Sequence, residues 1–244
     1  LDFSCAVFDR DGRLVANAPH MPVHLGSMDR SVETIIRLNA GKIRPGDVFA
    51  LNAPYNGGTH LPDITVVTPV FGAATPPSSG ASRHLLPQGE KEGRQPSPLV
   101  GEGGSPRGGE TGEGENPEIL FWAAARGHHA DIGGVAPGSM TPLATSVEEE
   151  GVLIDNFLLV EQGRFREAEL VELLTDHPFP VRNVRQNVAD LKAQIAACEK
   201  GVAELRKMVG HFGLDVVEAY MGHVQDNAAE SVRQVFDRLP DEAA

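Results

Sequence analysis

Residues 57 to 71 read GGTHLPDITVVTPVF, and this stretch predicts how the sheet and its loops are built. The second part, Ile64–Phe71, is apolar and β-branched, which is typical of a buried strand. The first part is predicted as a loop, because it opens with two glycines and Pro62 disfavours a helix. The rigid strand therefore carries an imidazole, His60, and a carboxylate, Asp63, just before it starts.

A second strand is followed by a similar polar loop. Residues 119 to 134 read ILFWAAARGHHADIGG, with the strand Ile119–Ala125 ending shortly before His128, His129 and Asp131. Neighbouring side chains of an extended backbone point to opposite faces, so only one of the two histidines is expected to bind a metal. Asp131 would share a face with His129.

The segment between these strands differs in composition from the rest. Residues 73–117 are rich in Gly, Pro, Ser and Glu, and they have almost no aromatic or β-branched side chains. Such a composition cannot bury enough apolar surface to offset its ordering entropy, so we predict a disordered insertion. Without it, a short loop would join the two strands as an antiparallel hairpin. The two polar loops would then lie at the same end of the sheet.

This convergence predicts a divalent metal site. Mixed imidazole and carboxylate ligands suit zinc, manganese or iron and do not suit calcium. A metal held in this way lowers the pKa of bound water and polarises a carbonyl or phosphoryl oxygen. The alternative is that the aspartates cap loops and the histidines are only hydrogen-bonded.

The remaining elements predict the fold class. Residues 2–15 are typical of a β-hairpin with its turn at 9–12, and residues 27–39 predict a helix. Strands are expected at 48–51 and 152–160, with a short helix near 165–175. We therefore expect an α+β fold with an antiparallel or mixed sheet whose hairpins carry the site. His24, just before the first helix, either caps that helix or faces substrate.

The C-terminal residues 182–240 have the clearest periodicity in the chain. Apolar side chains step by four and three from Val184 to Phe212, Gly213 interrupts, and the pattern resumes to Val235. This predicts an antiparallel helical hairpin with a heptad-like seam. The seam either packs within the subunit or forms an arm for a partner, and Cys198 is expected as a small core residue within it.

Composition excludes several classes of function. The 244-residue chain is 41% hydrophobic, and its net charge of −13 argues against nucleic-acid binding because no basic stripe offsets it. No apolar run approaches the roughly 20 residues of a membrane span, and the sequence begins with no secretory signal. Two cysteines are too few to staple the chain, so reduced thiols and a cytoplasmic location are expected. No Walker-type phosphate loop is present, so any ATP would be bound by another chain.

Five stretches resemble the hydantoinase B/5-oxoprolinase family, which includes N-methylhydantoinase B-type and acetone carboxylase-type subunits. They are residues 2–9, 22–28, 54–63, 126–134 and 186–197. The resemblance implies that a hydantoinase A-type partner uses ATP to phosphorylate the carbonyl oxygen of a cyclic amide. The B-type subunit then hydrolyses the activated lactam or hydantoin at a metal centre.

The resemblance also implies which residues carry the site. Matching positions make Asp2, His60, Asp63 and His129 the expected metal ligands. His128, Asp131 and His24 are the remaining catalytic candidates, the first two by positioning the ligands through hydrogen bonds. Members of the family are much longer, and this chain has no initiator Met, so it is expected to be a fragment of a longer protein. Within it we expect an α+β region over 1–181 that holds the metal, followed by the helices of 182–240.

Two alternatives stay open. The same scaffold serves ketone carboxylases of the acetone or acetophenone type, and composition does not separate the two reactions. The chain also departs from the family pattern at Ala53 and Cys198 and carries the insertion, which leaves an inactive truncated remnant as the third interpretation.

Overall fold

The computed structural model describes residues 2–18, 24, 26–72, 117–139 and 141–239. Seven strands form a single sheet in the order β2-β1-β5-β4-β3-β6-β7, and every neighbouring pair is antiparallel. The strands are β1 (Phe3–Phe8), β2 (Leu14–Asn17), β3 (Val48–Leu51), β4 (Asp63–Phe71), β5 (Ile119–His128), β6 (Phe157–Glu161) and β7 (Arg164–Phe165). The helices are α1 (Met28–Leu38), α2 (Val147–Glu150), α3 (Glu167–Thr175), α4 (Val184–Phe212) and α5 (Leu214–Phe236), with a 3₁₀ turn at Pro54–Asn56.

The predicted α+β class is confirmed, and so is the pairing that brings the two polar loops together. β4 and β5 are adjacent and antiparallel, and Asp63 at the start of β4 lies directly opposite His128 at the end of β5. Residues 73–116 lie outside the described residues, so the disordered insertion stays a prediction.

Both faces of the sheet are covered, which explains why β4 is buried along its whole length. On one face, Val32 and Ile35 of α1 pack into a cluster with Val67 of β4. On the other face, Leu191 and Cys198 of α4 belong to the larger cluster. A strand covered on both sides carries a nearly continuous apolar run instead of alternation.

The predicted strand 152–160 is shorter than expected. Pairing with β3 begins only at Phe157, because Asn156 has a φ of 50° and interrupts the extended backbone. Before it, Val152 and Ile154 are buried and bind the Asn52 side chain, and the Ile154 carbonyl also accepts the backbone N–H of Asn52 at 2.8 Å, one residue past the end of β3.

The two predicted C-terminal helices are present, but the apolar face of α4 packs mainly against the sheet and not mainly against the second helix. The buried side chains of α4 face the sheet, where Gln194 and Cys198 also contact strand carbonyls. The α4 seam thus packs within the subunit. The seam of α5 is buried at Val217 and Met221, whereas every residue from 226 to 239 is exposed. No helix among the described residues is both long and apolar enough to span a membrane.

Candidate metal centre

The site is organised around the carboxylate of Asp63, which is only 2% exposed. Its Oδ2 atom accepts a hydrogen bond from the Thr59 hydroxyl at 2.7 Å and lies 3.0 Å from Nδ1 of His60. Nε2 of His24 is 3.3 Å from the same oxygen. Oδ1 lies 3.0 Å from Nδ1 of His128. Three imidazoles from three parts of the chain therefore converge on one buried carboxylate.

The loop that presents this carboxylate depends on its two glycines. Gly57 has a φ of 96°, and a Cβ there would lie 2.5 Å from backbone atoms of α1. A Cβ on Gly58 would lie 2.2 Å from the carbonyl oxygen of Asn52. Any side chain at either position would therefore push the loop away from the sheet. The N–H of Asp63 also donates to the carbonyl of His60 at 3.0 Å, which closes the turn just before β4.

The electrostatics favour an ionised carboxylate. Burial alone raises the pKa of Asp63, but the Thr59 hydroxyl and the imidazoles of His60, His128 and His24 together lower it below its usual value. The carboxylate therefore stays ionised at neutral pH and is available to bind a cation.

His24 takes part in this cluster from a buried position. It is 1% exposed, and its Nδ1 lies 3.0 Å from the hydroxyl of Ser4 while its Nε2 faces Asp63. Since both ring nitrogens have partners, His24 fixes the position of the carboxylate instead of standing open to substrate. Of the two interpretations, a helix cap or a group that faces substrate, neither describes this position, because the buried ring lies between Ser4 and Asp63.

The double histidine separates as alternation requires, and His128 is the one that faces the cluster. The ring centroids of His60 and His128 are 5.0 Å apart. His129 points toward α4, where its Nε2 lies 3.1 Å from Oε1 of Gln194 and its Nδ1 lies 3.2 Å from Nδ2 of Asn187. Burial lowers the pKa of His129. The structure thus does not bring His129, the expected ligand, together with His60 and Asp63.

The partners of His129 define its protonation. Gln194 donates from Nε2 to the carbonyls of Ile64 and Ala125, so its Oε1 accepts a hydrogen bond from the Nε2–H of His129. Asn187 donates to Nδ1 of the ring. His129 is therefore a neutral imidazole that links α4 to the strands, and this geometry assigns its tautomer.

Asp2 lies at the rim of the cluster. Its side chain is 46% exposed, with Oδ2 4.0 Å from Nδ1 of His128. Its backbone carbonyl accepts the N–H of His128 at 3.0 Å, which ties the start of β1 to the end of β5.

Asp131 lies away from the cluster. Its carboxylate pairs with the guanidinium of Arg182 and accepts the backbone N–H of Arg182 at 3.0 Å. Asp131 therefore joins the loop after β5 to the segment that leads into α4, and it is not part of the cluster.

Sequence reasoning missed one functional neighbour, Arg126. Its guanidinium is fully buried on β5, and burial lowers its pKa to about 10. It donates to the hydroxyls of Thr65 at 2.7 Å and Ser31 at 2.8 Å, to the hydroxyl of Ser27, and to the carbonyl of Gly57 at 3.1 Å. It therefore anchors the glycine loop against α1. The sequence does carry a signal for this residue, because an arginine directly after three alanines in a buried strand is unusual and needs hydrogen-bond partners.

The donor set fits a divalent metal. One ligand atom from each of His60, Asp63 and His128 lies within 4.8 Å of the others. Two imidazoles and a carboxylate form the mixed set that zinc, manganese and iron accept. The side chains of His60 and His128 are 34% and 29% exposed, so the cluster is open to solvent on one side. An open position is what a catalytic site needs and a structural site lacks.

Comparison with known proteins agrees with this architecture. The Hydantoinase B/oxoprolinase family model matches residues 1–83 and 109–244. The chain is 38% identical to 5-oxoprolinase 1 of Arabidopsis thaliana over 97% of its own length, but this covers only 16% of that protein.

Two solved structures share the fold. The crystal structure of ATP-dependent caprolactamase from Pseudomonas jessenii matches with a TM-score of 0.74 and 26% identity, covering 99% of this chain and 34% of that one. The related sequence is named caprolactamase subunit beta. A nucleotide-free acetone carboxylase matches with a TM-score of 0.63 and 18% identity over 90% of this chain and 23% of that one, which shows the fold alone. On this evidence the chain, which spans about a sixth to a third of the relatives it matches, belongs to the hydantoinase B/oxoprolinase family.

Proposed function

We propose that this chain supplies the metal-binding part of an ATP-coupled hydrolase of cyclic amides. The observation that carries the proposal is the convergence of His60 and His128 on the buried carboxylate of Asp63. Relatives named 5-oxoprolinase and caprolactamase support cyclic amides as the substrate class.

The proposed ligands are His60, Asp63 and His128, with Asp2 close enough to join from the rim. A divalent cation held there would lower the pKa of water and polarise a carbonyl oxygen. The ligand role expected for His129 passes to His128 in this proposal, because the ring nitrogens of His129 are both occupied by α4.

The chain's own residues prepare the site for this chemistry. Thr59 and His24 hold Asp63 in one orientation through its Oδ2 atom, and Ser4 holds His24 in turn. Hydrogen-bonded support of this kind orients metal ligands and raises their affinity. Arg126 keeps the glycine loop in place, so that the His60 imidazole stays near the carboxylate.

ATP and its binding chain belong to the partner in this proposal. The sequence has no phosphate-binding glycine loop of Walker type, and the caprolactamase relative is named as a subunit beta. We propose that a hydantoinase A-type subunit phosphorylates the cyclic amide and that the residues described above act on the product in the cytoplasm. Ketone carboxylation has no separate observation in its favour, because the acetone carboxylase likeness shows the fold alone.

Metal analysis of purified variants tests the ligand set. We expect wild-type protein to bind about one zinc, manganese or iron ion per chain, and His60→Ala and His128→Ala to lose it. His211→Ala is the matched control, because His211 is exposed near the end of α4 and outside the cluster. Absence of a stoichiometric metal in the wild type would end the proposal.

Comparing His128→Ala with His129→Ala separates the two histidines directly. We expect the first variant to lose the metal, and the second to keep more of it while losing stability. If only His129→Ala loses the metal, the ligand assignment is wrong. With an A-type partner supplied, ATP-dependent opening of 5-oxoproline, hydantoins and caprolactam then tests the reaction itself, and carboxylation of ketones with bicarbonate tests the alternative.

A further inference from the structure

An apolar groove of about 480 Å³ lies between α4, α5 and the strands β1 and β2. Its lining is uncharged throughout and includes side chains from all four elements: Val7, Val15, Met208, Phe212 and Tyr220. None of the lining residues belongs to the metal cluster. A contiguous exposed apolar surface of this kind marks an interaction site.

The α5 side of the groove belongs to an apolar ridge that continues beyond the groove. The ridge consists of five exposed residues spaced four apart: Val216, Tyr220, Val224, Ala228 and Val232. Residues at this spacing are neighbours on the surface of a helix. The first three line the groove, and the last two lie in the distal half of α5, where every residue from 226 to 239 is exposed.

The distal half of α5 has no apolar partner among the described residues. Val235, Phe236 and Leu239 are exposed there as well. An amphipathic helix gains most of its stability from packing its apolar face, so this half is expected to need a partner. Outside the described residues, only 73–116 is long enough to form a helix of similar length, and its sequence is rich in Gly and Pro. The partner is therefore expected to come from another molecule.

The ridge is complementary to itself when two copies of α5 run antiparallel. With Val224 at the centre, Val216 lies at the level of the partner's Val232. Tyr220 lies at the level of the partner's Ala228, so a large side chain meets a small one, as close packing requires. The spacing thus suits an isologous pairing about a two-fold axis, in which both copies use the same surface.

The charges of α5 permit this pairing although the chain carries a net charge of −13. Successive residues of an α-helix are rotated by about 100°, which places the acidic side chains of this segment on the side of the helix away from the ridge. They are Asp215, Glu218, Asp226, Glu230 and Asp237. No carboxylate of α5 would therefore lie between the two ridges.

The exposed apolar area is close to what a dimer needs. Phe212, Tyr220 and Phe236 are 57%, 68% and 64% exposed, which leaves roughly 300–450 Å² of aromatic surface on each copy. A standard interface buries roughly 800 Å² per partner. Six further exposed residues add aliphatic surface: Met208, Val216, Val224, Val232, Val235 and Leu239.

We propose that a second copy of this chain binds along the ridge, with the two α5 helices antiparallel and the distal half of each in the groove of the other. This arrangement brings Phe236 of each copy near the partner's Phe212. It covers the groove and the distal half of α5 together. The inference does not depend on the proposed function, because the groove and the metal cluster share no residue.

Sedimentation velocity of the 244-residue chain tests this pairing. We expect a monomer–dimer equilibrium with a Kd of about 10 µM or tighter. Tyr220→Ala removes the central aromatic side chain of the ridge and should weaken the dimer at least about tenfold. Asp226→Ala, on the opposite side of α5, is its control and should leave the equilibrium unchanged.

A rescue experiment tests the antiparallel register. Ala228→Tyr sets a second large side chain against the partner's Tyr220 and should abolish the dimer, whereas Ala229→Tyr adds the same bulk at an exposed position beside the ridge and should not. Combining Tyr220→Ala with Ala228→Tyr exchanges the large and the small residue, so the double variant should dimerise again. Circular dichroism confirms that each variant keeps its helices.

Each other outcome overturns the inference or part of it. A wild-type chain that stays monomeric at about 100 µM overturns the pairing, and so does a case in which Tyr220→Ala only prevents binding of an A-type subunit. A dimer that survives Ala228→Tyr overturns the surface, and a double variant that stays monomeric overturns the register. All these variants should bind metal as the wild type does, so a wild type without metal would end the proposed function and leave this inference standing.

Discussion

Replacing Asn52 by aspartate removes two donors from a buried hydrogen-bond junction without changing its shape. Asn52 is fully buried, and its Nδ2 donates to the carbonyls of Leu61 at 2.8 Å and Val152 at 3.0 Å. Its Oδ1 accepts the N–H of Ile154 at 2.7 Å. This side chain ties the loop that carries His60 to the segment after α2.

The expected loss follows from these contacts. An introduced carboxylate keeps the acceptor for Ile154 but presents an oxygen to two carbonyls. Each buried polar group left unpaired costs about 1–3 kcal/mol, so the free energy of unfolding should fall by about 2–6 kcal/mol at pH 7. We expect weaker metal binding as well, since the loop that holds His60 loses an anchor.

The loss should depend on pH in one direction. Burial beside two carbonyl oxygens raises the folded-state pKa of the introduced carboxyl group above its unfolded value of about 3.9. The folded state then binds more protons than the unfolded state, so the stability of Asn52→Asp rises as the pH falls. The protonated acid also donates one of the two lost hydrogen bonds. The gap to wild type should therefore narrow between pH 7 and pH 5.

Urea unfolding at both pH values measures this gap. Asn227→Asp, at an exposed position of α5, is the matched control and should change stability by less than about 0.5 kcal/mol. A loss below about 1 kcal/mol at pH 7, or a gap that widens at pH 5, would refute the reasoning.

Three further predictions concern the loops and the core. Gly58→Ala places a Cβ 2.2 Å from a backbone oxygen, so it should lower the free energy of unfolding by about 1–3 kcal/mol and weaken metal binding. In the control Gly222→Ala the added Cβ meets nothing within 4 Å, so this variant should stabilise α5. Equal melting temperatures for the two variants would contradict this prediction. Burial raises the pKa of the Cys198 thiol to about 12, so it should resist alkylation at pH 8 until the protein unfolds, and modification of native protein there would count against the packing of α4. Burial raises the pKa of Asp131, but hydrogen bonds and charge from Arg182 lower it by more, so the pKa lies below its usual value. Asp131→Asn should therefore cost about 1 kcal/mol at neutral pH. Its stabilisation is present above the unfolded value and is lost as the pH falls through the lower folded value, so urea titrations of wild type and variant should converge in acid.

The elements with strong local patterns could be predicted from sequence. The runs that became β4 and β5 are apolar and carry polar residues at one end, and antiparallel pairing then brings Asp63 at the start of β4 to His128 at the end of β5. The extent of α4 follows from its periodicity and ends at Gly213, as expected. These features depend on neighbours in the chain, which is why a pattern identifies them.

Partner choice was less predictable, because it depends on distant residues. A four-three repeat on α4 predicts an apolar face, but a helix and a sheet bury such a face equally well, and here the sheet is its partner. Likewise, alternation shows that His128 and His129 point apart without showing which one faces Asp63. That choice is made by Asn187 and Gln194, which lie 58 and 65 residues further along the chain and bind His129 from α4.

The candidate metal centre combines both kinds of information. His60 and Asp63 could be named from their own loop, since two glycines, a proline and a strand specify its conformation locally. The burial of His24 against Asp63, the position of Asp2 at the rim and the buried charge of Arg126 arise only when α1, β1 and β5 pack around that loop. Local backbone preference thus sets the conformation of the loop that carries His60 and Asp63. The packing of distant segments decides which side chains surround these two residues and how the neighbouring imidazoles are protonated.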